Sequence, residues 1–566
     1  MIASSLLLML ALTACAAPAT PASPPIQSQP GQTQPAMPQR TLVVAVRGEP
    51  PSIASKPLTS FSGLLDLPKA LFNAELDYRD EREAPHPYLA EALPQLNTDT
   101  WKVLPDGRME TTYTLKPKLT WQDGQPLVAE DFAFAYRVYA SPDFGQAGTA
   151  PIREIEAVSA PDPRTVVIRW KQPYADAAVL QDGFPALPSH LLSEPFQNLD
   201  MDAFGGLPYW SSAYVGLGPY RVVGWESGAF IEGEAFAGYV FGKPKIDRIK
   251  VVFIPDAQTA LANVQAGEVH YVSDYVLTVL DGQVLEQQWG DTGGSVLYTP
   301  TTLRYTSFQQ RPDYVETPAL LDVRVRRAVA HGIEADTAVN VLTSGKGVPT
   351  DTLTSPRVDY YQQIDRAIEK HEYDPRRTQQ LMEEAGFTKS AEGFFVGRDG
   401  QPIRFSVSST SGIRNEAVAA TYADSLRRSG FDVSLAAIPV AQMRLPRTSA
   451  VVPGVQIRGG NNHYLNYTSQ ASPGPDNRWY GSNYGGWTNP GYDGAYQGWL
   501  TTLAQSDRTK HIAEMERIIS EQVPIIPHFF DVQVNPHPAA LQGPVARQTP
   551  DSGGPFLYAH KWEWRS

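Results

Sequence analysis

Strand-length apolar runs and end-capped amphipathic helices alternate along most of this 566-residue chain, and that alternation restricts it to α/β architecture. Thr41-Leu-Val-Val-Ala-Val46 is a continuous apolar run of strand length, as expected of a strand covered on both faces. Further strands are predicted at Thr165 to Trp170 and Lys250 to Ile254. Asp374-Pro375 offers a helix N-cap and an N1 proline. Leu381, Met382 and Ala385 follow as an apolar stripe, and Gly386 stands where the helix must end. Asp256 and Asp322 open two more helices. Asn415 to Ser429 reads as another, closed by Gly430 and followed by an alternating strand, Phe431 to Leu435. Ile512, Met515, Ile519 and Val523 form a stripe that stops before Pro524. No internal repeat of about 20–50 residues is visible. Single cores stop growing near about 250–300 residues, so a chain of this length is expected to form two large lobes.

The amino terminus has a different character. Ile2 to Leu12 is an apolar run too short to cross a bilayer, and it reads as the core of a signal peptide. It ends in Leu12-Thr13-Ala14-Cys15, which resembles the bacterial lipobox, whose cysteine is acylated and becomes the mature first residue. The chain has a single cysteine and it falls at this position, so Cys15 is the expected lipidation site. The basic residues that usually open such a leader are missing from Met1 to Ser5, as expected if translation begins upstream. Residues 16–40 are rich in Pro, Gln, Ala, Ser and Thr, with no apolar periodicity to bury. They are expected to form a disordered tether reaching roughly 75 Å if extended. No later stretch has 18 consecutive apolar residues.

Composition excludes several function classes. The formal net charge is −13, against the basic face of a nucleic-acid binder. One cysteine permits neither an internal disulfide nor a cysteine zinc cluster. Gly216-Leu-Gly218-Pro-Tyr220 is not a dinucleotide loop: position 221 is Arg where the third glycine belongs, and Pro219 opposes a following helix. It reads as a turn into a strand. There is no Gly-x-Ser-x-Gly elbow and no His-Glu-x-x-His, and the ten histidines are scattered. No catalytic residue, metal site or cofactor is therefore assigned.

Leu115 to Tyr139, LKPKLTWQDGQPLVAEDFAFAYRVY, resembles the signature stretch of family-5 solute-binding proteins, the oligopeptide, dipeptide and nickel binders of ABC importers. The stretch reads as a strand, a turn at Asp123-Gly124, and a helix with Glu130 and Asp131 in its first turn, where the dipole favours anions. Phe132, Tyr136 and Tyr139 form its apolar stripe. Val128 stands where the family usually has a capping Thr or Ser. LVVAVRGEPPSI (42–53), HPYLAEALP (86–94), GLGPYRVVGWESG (216–228), DVRVRRAVAHGIE (322–334), YDPRRTQQLMEEAGF (373–387) and VPIIPHFF (523–530) resemble other family segments in order, and the likeness covers nearly all of 41–535.

The resemblance implies a two-lobed periplasmic-binding-protein-like fold, class II, cluster C, with an extra subdomain inserted in the first lobe. Lobe I would comprise 41–85, 200–300 and 529–566, the insertion 86–199, and lobe II 301–528. Ligand would bind between lobes that close on it. Peptide binders of the family carry an Asp, in a loop of the second lobe, that pairs with the ligand's amino group. Here the comparable stretch has Asn461, Asn462 and His463, so either the ligand lacks a free amine or another acid such as Asp476 serves. Arg458 is the expected partner of a ligand carboxylate, Tyr464 and Tyr467 are expected to stack on ligand, and Phe529 and Phe530 to line the cleft floor. The implied function is capture of a small solute, peptide or peptide-like, for an ABC permease in the membrane, by a lipid-anchored monomer at the cell surface or in the periplasm. Two alternatives stay open: a secreted hydrolase of peptides or glycans, and a ligand-sensing binder.

Overall fold

A computed structural model describes residues 41–566, apart from 57, 59–67, 143–149, 461–462, 478, 480, 551–553 and 566. Cys15, the 16–40 tether, Asn461 and Asn462 lie outside the described residues.

Two mixed sheets form the two lobes. In the first, Leu42–Val46 sits between Arg248–Phe253 and Tyr271–Val272 and runs parallel to both. Phe230–Ala235 and Tyr220–Glu226 extend the sheet antiparallel. The apolar run at 42–46 is an interior strand, with four of its five residues buried. The helix Ala257–Ala266 begins where Asp256 accepts the Thr259 N–H at 2.8 Å and ends at Gly267. In the second sheet the order is Val348–Pro349, Ile525–Pro538, Gly294–Phe308, Val455–Gly460, Arg404–Thr410, Asp432–Ile438. Its last three strands are mutually parallel, and the 17-residue helix Ile413–Ser429 links two of them.

The segment between Trp101 and Trp170 forms a separate antiparallel four-stranded sheet. Met109–Thr114 alternates buried and half-buried residues, so one face of this sheet is covered. The helix Ala129–Tyr139 follows the turn at Asp123-Gly124, and Phe132 and Tyr139 are buried while Tyr136 is half-buried. Val128 has no side chain able to cap this helix. Asp131, three residues on, still closes back on the helix start, accepting the Val128 N–H at 3.1 Å together with Trp121 Nε1–H, Ser189 N–H and Ser189 Oγ–H. Expected as a dipole charge, Asp131 is also a buried hub that ties the turn, the helix start and residue 189 together. Gln122 from the same turn donates to the carbonyls of Gly218 and Tyr220 and accepts the Gly216 N–H. The glycines of GLGPY are required by close approach: a Cβ at Gly218 would stand 2.2 Å from Asn73 N, and one at Gly216 2.1 Å from Phe72 O.

Two long strands, Gly294–Phe308 and Ile525–Pro538, run antiparallel from the first lobe into the second. Near the first lobe they are held by side chains: Asn535 Nδ2 donates to Val272 O at 2.9 Å, and Thr299 Oγ1 to Asn535 Oδ1 at 2.9 Å. Their pairing breaks midway. Pro300 faces Val532 and Leu303 faces Phe530, so Thr301 and Thr302 together oppose the single residue Asp531. This is a β-bulge at the junction of the lobes. The Thr302 N–H released there donates to Tyr275 Oη at 3.2 Å.

Candidate functional site

Just beyond the bulge, the first crossover strand places Tyr305 opposite Arg458 of Val455–Gly460. These two, with Tyr467, Tyr484, Trp487 and Ile525, wall a recess of about 270 Å³. The Arg458 guanidinium lies 3.8 Å from the centre of the Tyr484 ring, and its Nη2 donates to Ser449 O at 2.7 Å. Its Nε is buried without a hydrogen-bond partner among the described residues. Burial pulls the group below its ordinary pKa, and the groups that oppose this effect are the phenols of Tyr305, Tyr484 and Tyr467. Among the described residues no carboxylate pairs with Arg458. A desolvated cation with a spare N–H and aromatic walls is chemically suited to an incoming carboxylate.

A second charged group lies on the crossover itself. Asp531 is fully buried and receives Arg304 Nε at 3.0 Å and the Arg414 guanidinium. Arg304 Nη1 also donates to Asn415 Oδ1 at 3.0 Å. Two arginines on one aspartate leave one positive charge in excess. Arg414 and Asn415 belong to the first turn of Ile413–Ser429, which follows the parallel strand Arg404–Thr410. In open α/β sheets ligands gather beyond the carboxyl ends of such strands. Gly459 leaves room for this guanidinium: a Cβ there would stand 2.8 Å from Arg304 Nη1, so the arginine's tip would have to shift.

The residues expected from sequence separate into groups. Arg458 and Tyr467 come together in the recess. Tyr464 is half-buried beside it: its hydroxyl donates to Glu516 Oε1 at 3.0 Å and its ring meets Trp499 edge-on at 5.8 Å. Glu516 is a buried carboxylate, raised in pKa by desolvation, that also accepts the N–H groups of Leu353 and Thr354. Tyr464 therefore anchors a loop. His463 is exposed, just ahead of the short 3-10 turn Tyr464–Tyr467. Phe529 and Phe530 are 1% and 2% exposed in the second crossover strand and are not among the walls of the recess. Sequence reasoning missed Tyr305, Tyr484, Trp487, Arg304, Arg414 and Asp531. The one local signal was Tyr484-Gly-Gly-Trp487, a glycine pair between aromatics, where Gly485 lets the loop press against the end of the first crossover strand: a Cβ there would lie 2.4 Å from Phe308 O.

No helix among the described residues is long and apolar enough to cross a membrane. Residues 91–490 match the family described as bacterial extracellular solute-binding proteins, family 5 Middle. A Brucella ovis protein provisionally named an ABC transporter peptide-binding protein is 27% identical over 294 residues, 51% of each chain. The chain thus spans about half the length of this curated relative. The oligopeptide-binding protein AppA of Bacillus subtilis is 24% identical over 452 residues, 78% of each chain. Its structure with a nonapeptide superposes with a TM-score of 0.71 at 20% identity, covering 93% of this chain and 99% of AppA. NikZ of Campylobacter jejuni, solved with Ni(L-His), gives a TM-score of 0.75 at 20% identity, covering 93% of this chain and all of NikZ. With the match spanning 400 of 566 residues and the two-lobed fold shared with these structures, the chain belongs to the family-5 bacterial extracellular solute-binding proteins.

Proposed function

We propose that this protein is the substrate-binding lipoprotein of an ABC importer, and that it captures a small carboxylate-bearing solute of peptide type between its lobes for a membrane permease. The observation that carries the reading is Arg458, a desolvated guanidinium with no acid partner among the described residues, set among tyrosines where the crossover strands enter the second lobe. The net positive group of Arg304, Arg414 and Asp531 supports it from the crossover. A nonapeptide and a histidine complex, bound by two relatives, both carry carboxylates. The protein binds and releases without catalysis, because affinity coupled to lobe closure is all that delivery requires. On this reading the folded part divides into lobe I (41–85, 200–300, 529–566), the inserted subdomain (86–199) and lobe II (301–528), with the break at Thr301 and Thr302 as the hinge. Cys15 carries the lipid, and the 16–40 tether lets the monomer stand off the membrane.

Native mass spectrometry of the purified protein, followed by calorimetric titration with di- to pentapeptides and with their C-terminal amides, tests the reading. We expect a co-purified solute and binding that requires the free carboxylate. Hydrolysis of the peptides, or equal binding of acids and amides, would overturn it.

A further inference from the structure

The segment after the four-stranded sheet meets the second lobe's helices around Asp176. Asp176 lies in this segment, which is held to the first lobe by Tyr113 Oη donating to Ala177 O at 2.8 Å and by Leu180 N–H donating to Asp77 at 2.7 Å. Arg508 lies on the helix Gln505–Gln522. The second lobe holds that helix through the Arg326 guanidinium on Gln522 O at 2.8 Å and through Glu516 on Leu353 and Thr354. Between them, Arg508 Nη1 and Nη2 donate to Asp176 Oδ1 and Oδ2 at 2.6 and 2.7 Å, a parallel two-bond pair. Arg508 Nε donates to Trp499 O at 3.1 Å, and the guanidinium lies 4.5 Å from the centre of the Trp499 ring. The side chains are only 11% and 22% exposed. Beside them Ala175 N–H donates to Leu500 O at 2.9 Å, and Tyr174 and Ala177 join Tyr496 and Leu500 in one buried apolar cluster.

We propose that Asp176 and Arg508 are the clasp of the closed form, an affinity-determining pair remote from the recess. The proposal rests on the solute-binding reading only in assigning closure a purpose. The planar fork fixes one relative placement of the lobes, so contact is all-or-none as the hinge turns. When the lobes part, both charges return to water. The pair thus lowers the free energy of one hinge state without touching ligand, and apparent affinity scales with the fraction of molecules already closed. Arg517 on the same helix is a built-in contrast: it pairs with Glu514 and Glu521 of its own helix.

The test uses ligand-free full-length protein. Replacing Cys15 by Ser removes the single cysteine, so spin labels can be placed through Lys102→Cys and Lys510→Cys, both at exposed positions. Electron-spin distance measurements should give a short population that Arg508→Ala loses and Asp176→Asn reduces, while Arg517→Ala leaves it in place. Asp176→Asn keeps one acceptor and is the reading to use if Arg508→Ala fails to fold. An unchanged distribution in both variants, or an equal change in Arg517→Ala, would overturn the clasp. Because no ligand is present, that result leaves the solute reading intact, and failure of peptide binding leaves the clasp result intact.

Discussion

The phenol of Tyr275 accepts the Thr302 N–H at 3.2 Å, where the two crossover strands lose register. Tyr275 and Asp274 both hold left-handed backbone, with φ of +55° and +56°, which turns the chain after Tyr271–Val272 toward that break. Thr302 is 6% exposed, so without this acceptor its N–H would be buried and unpaired. Tyr275→Phe is expected to destabilise the fold by about 1–3 kcal/mol, read as a lower urea midpoint. A midpoint equal to wild type would show that water replaces the phenol.

Asp531 neutralises two arginines from within the crossover. Asp531→Asn would leave Arg304 and Arg414 with no carboxylate partner among the described residues, and removing one member of a buried ion pair costs about 3–5 kcal/mol. The expected outcome is a large drop in denaturant midpoint. A loss under about 1 kcal/mol would mean that the arginines relax into solvent.

Arg458 makes the opposite forecast. With no acid among the described residues paired to it, Arg458→Met strands no buried anion, and stability should stay within about 1 kcal/mol of wild type. Loss of a charge-assisted bond to ligand should weaken peptide-acid binding roughly 10- to 100-fold by calorimetry, leaving amides unaffected. Large unfolding with unchanged affinity would assign Arg458 a structural role.

A pH dependence follows from the first lobe. Burial pushes the Asp77 carboxyl up to about 7 from its ordinary 3.8. Burial also raises Glu75 well above 4.5, reinforced by the Asp182 carboxylate beside it. Hydrogen bonds from Ser55 and the Asp182 N–H oppose that rise only in part. Folded carboxyls with raised pKa hold protons that the unfolded chain has released. Their contribution is complete below the unfolded values near 4 and is lost as pH climbs through the folded ones. Urea midpoints should therefore fall from pH 5 to pH 8, and Glu75→Gln should flatten the slope. A midpoint that rises over this range would contradict the assignment.

Metabolic labelling with a palmitate analogue should mark the wild-type protein and not Cys15→Ser, which should also leave the membrane fraction. Equal membrane retention of both would remove the lipid anchor.

Much of the scaffold was legible because its signals are local. Asp256, Asp322 and Asp374 cap the helices they were expected to cap, and Gly267, Gly386 and Gly430 end theirs with positive φ. The run at 42–46 is a buried strand because a buried parallel strand needs apolar residues on both faces. The site was less legible. Arg458 and Tyr467 do share the recess, but Tyr305 reaches them across 153 positions of sequence through strand register alone. Phe529 and Phe530 read as cleft floor from their place in the chain, and the strand buries both, apart from the walls of the recess.

By itself the sequence determined the α/β alternation, the helix ends and the family, because caps, turns and apolar periodicity act over a few neighbours. The tertiary structure alone decided which charges stand without a partner and which meet. Among the described residues Arg458 lacks an acid, Asp531 has two arginines, and Asp176 finds Arg508 at a distance of 332 positions. Those pairings depend on strand register and on how the lobes lie together, and no local pattern encodes either.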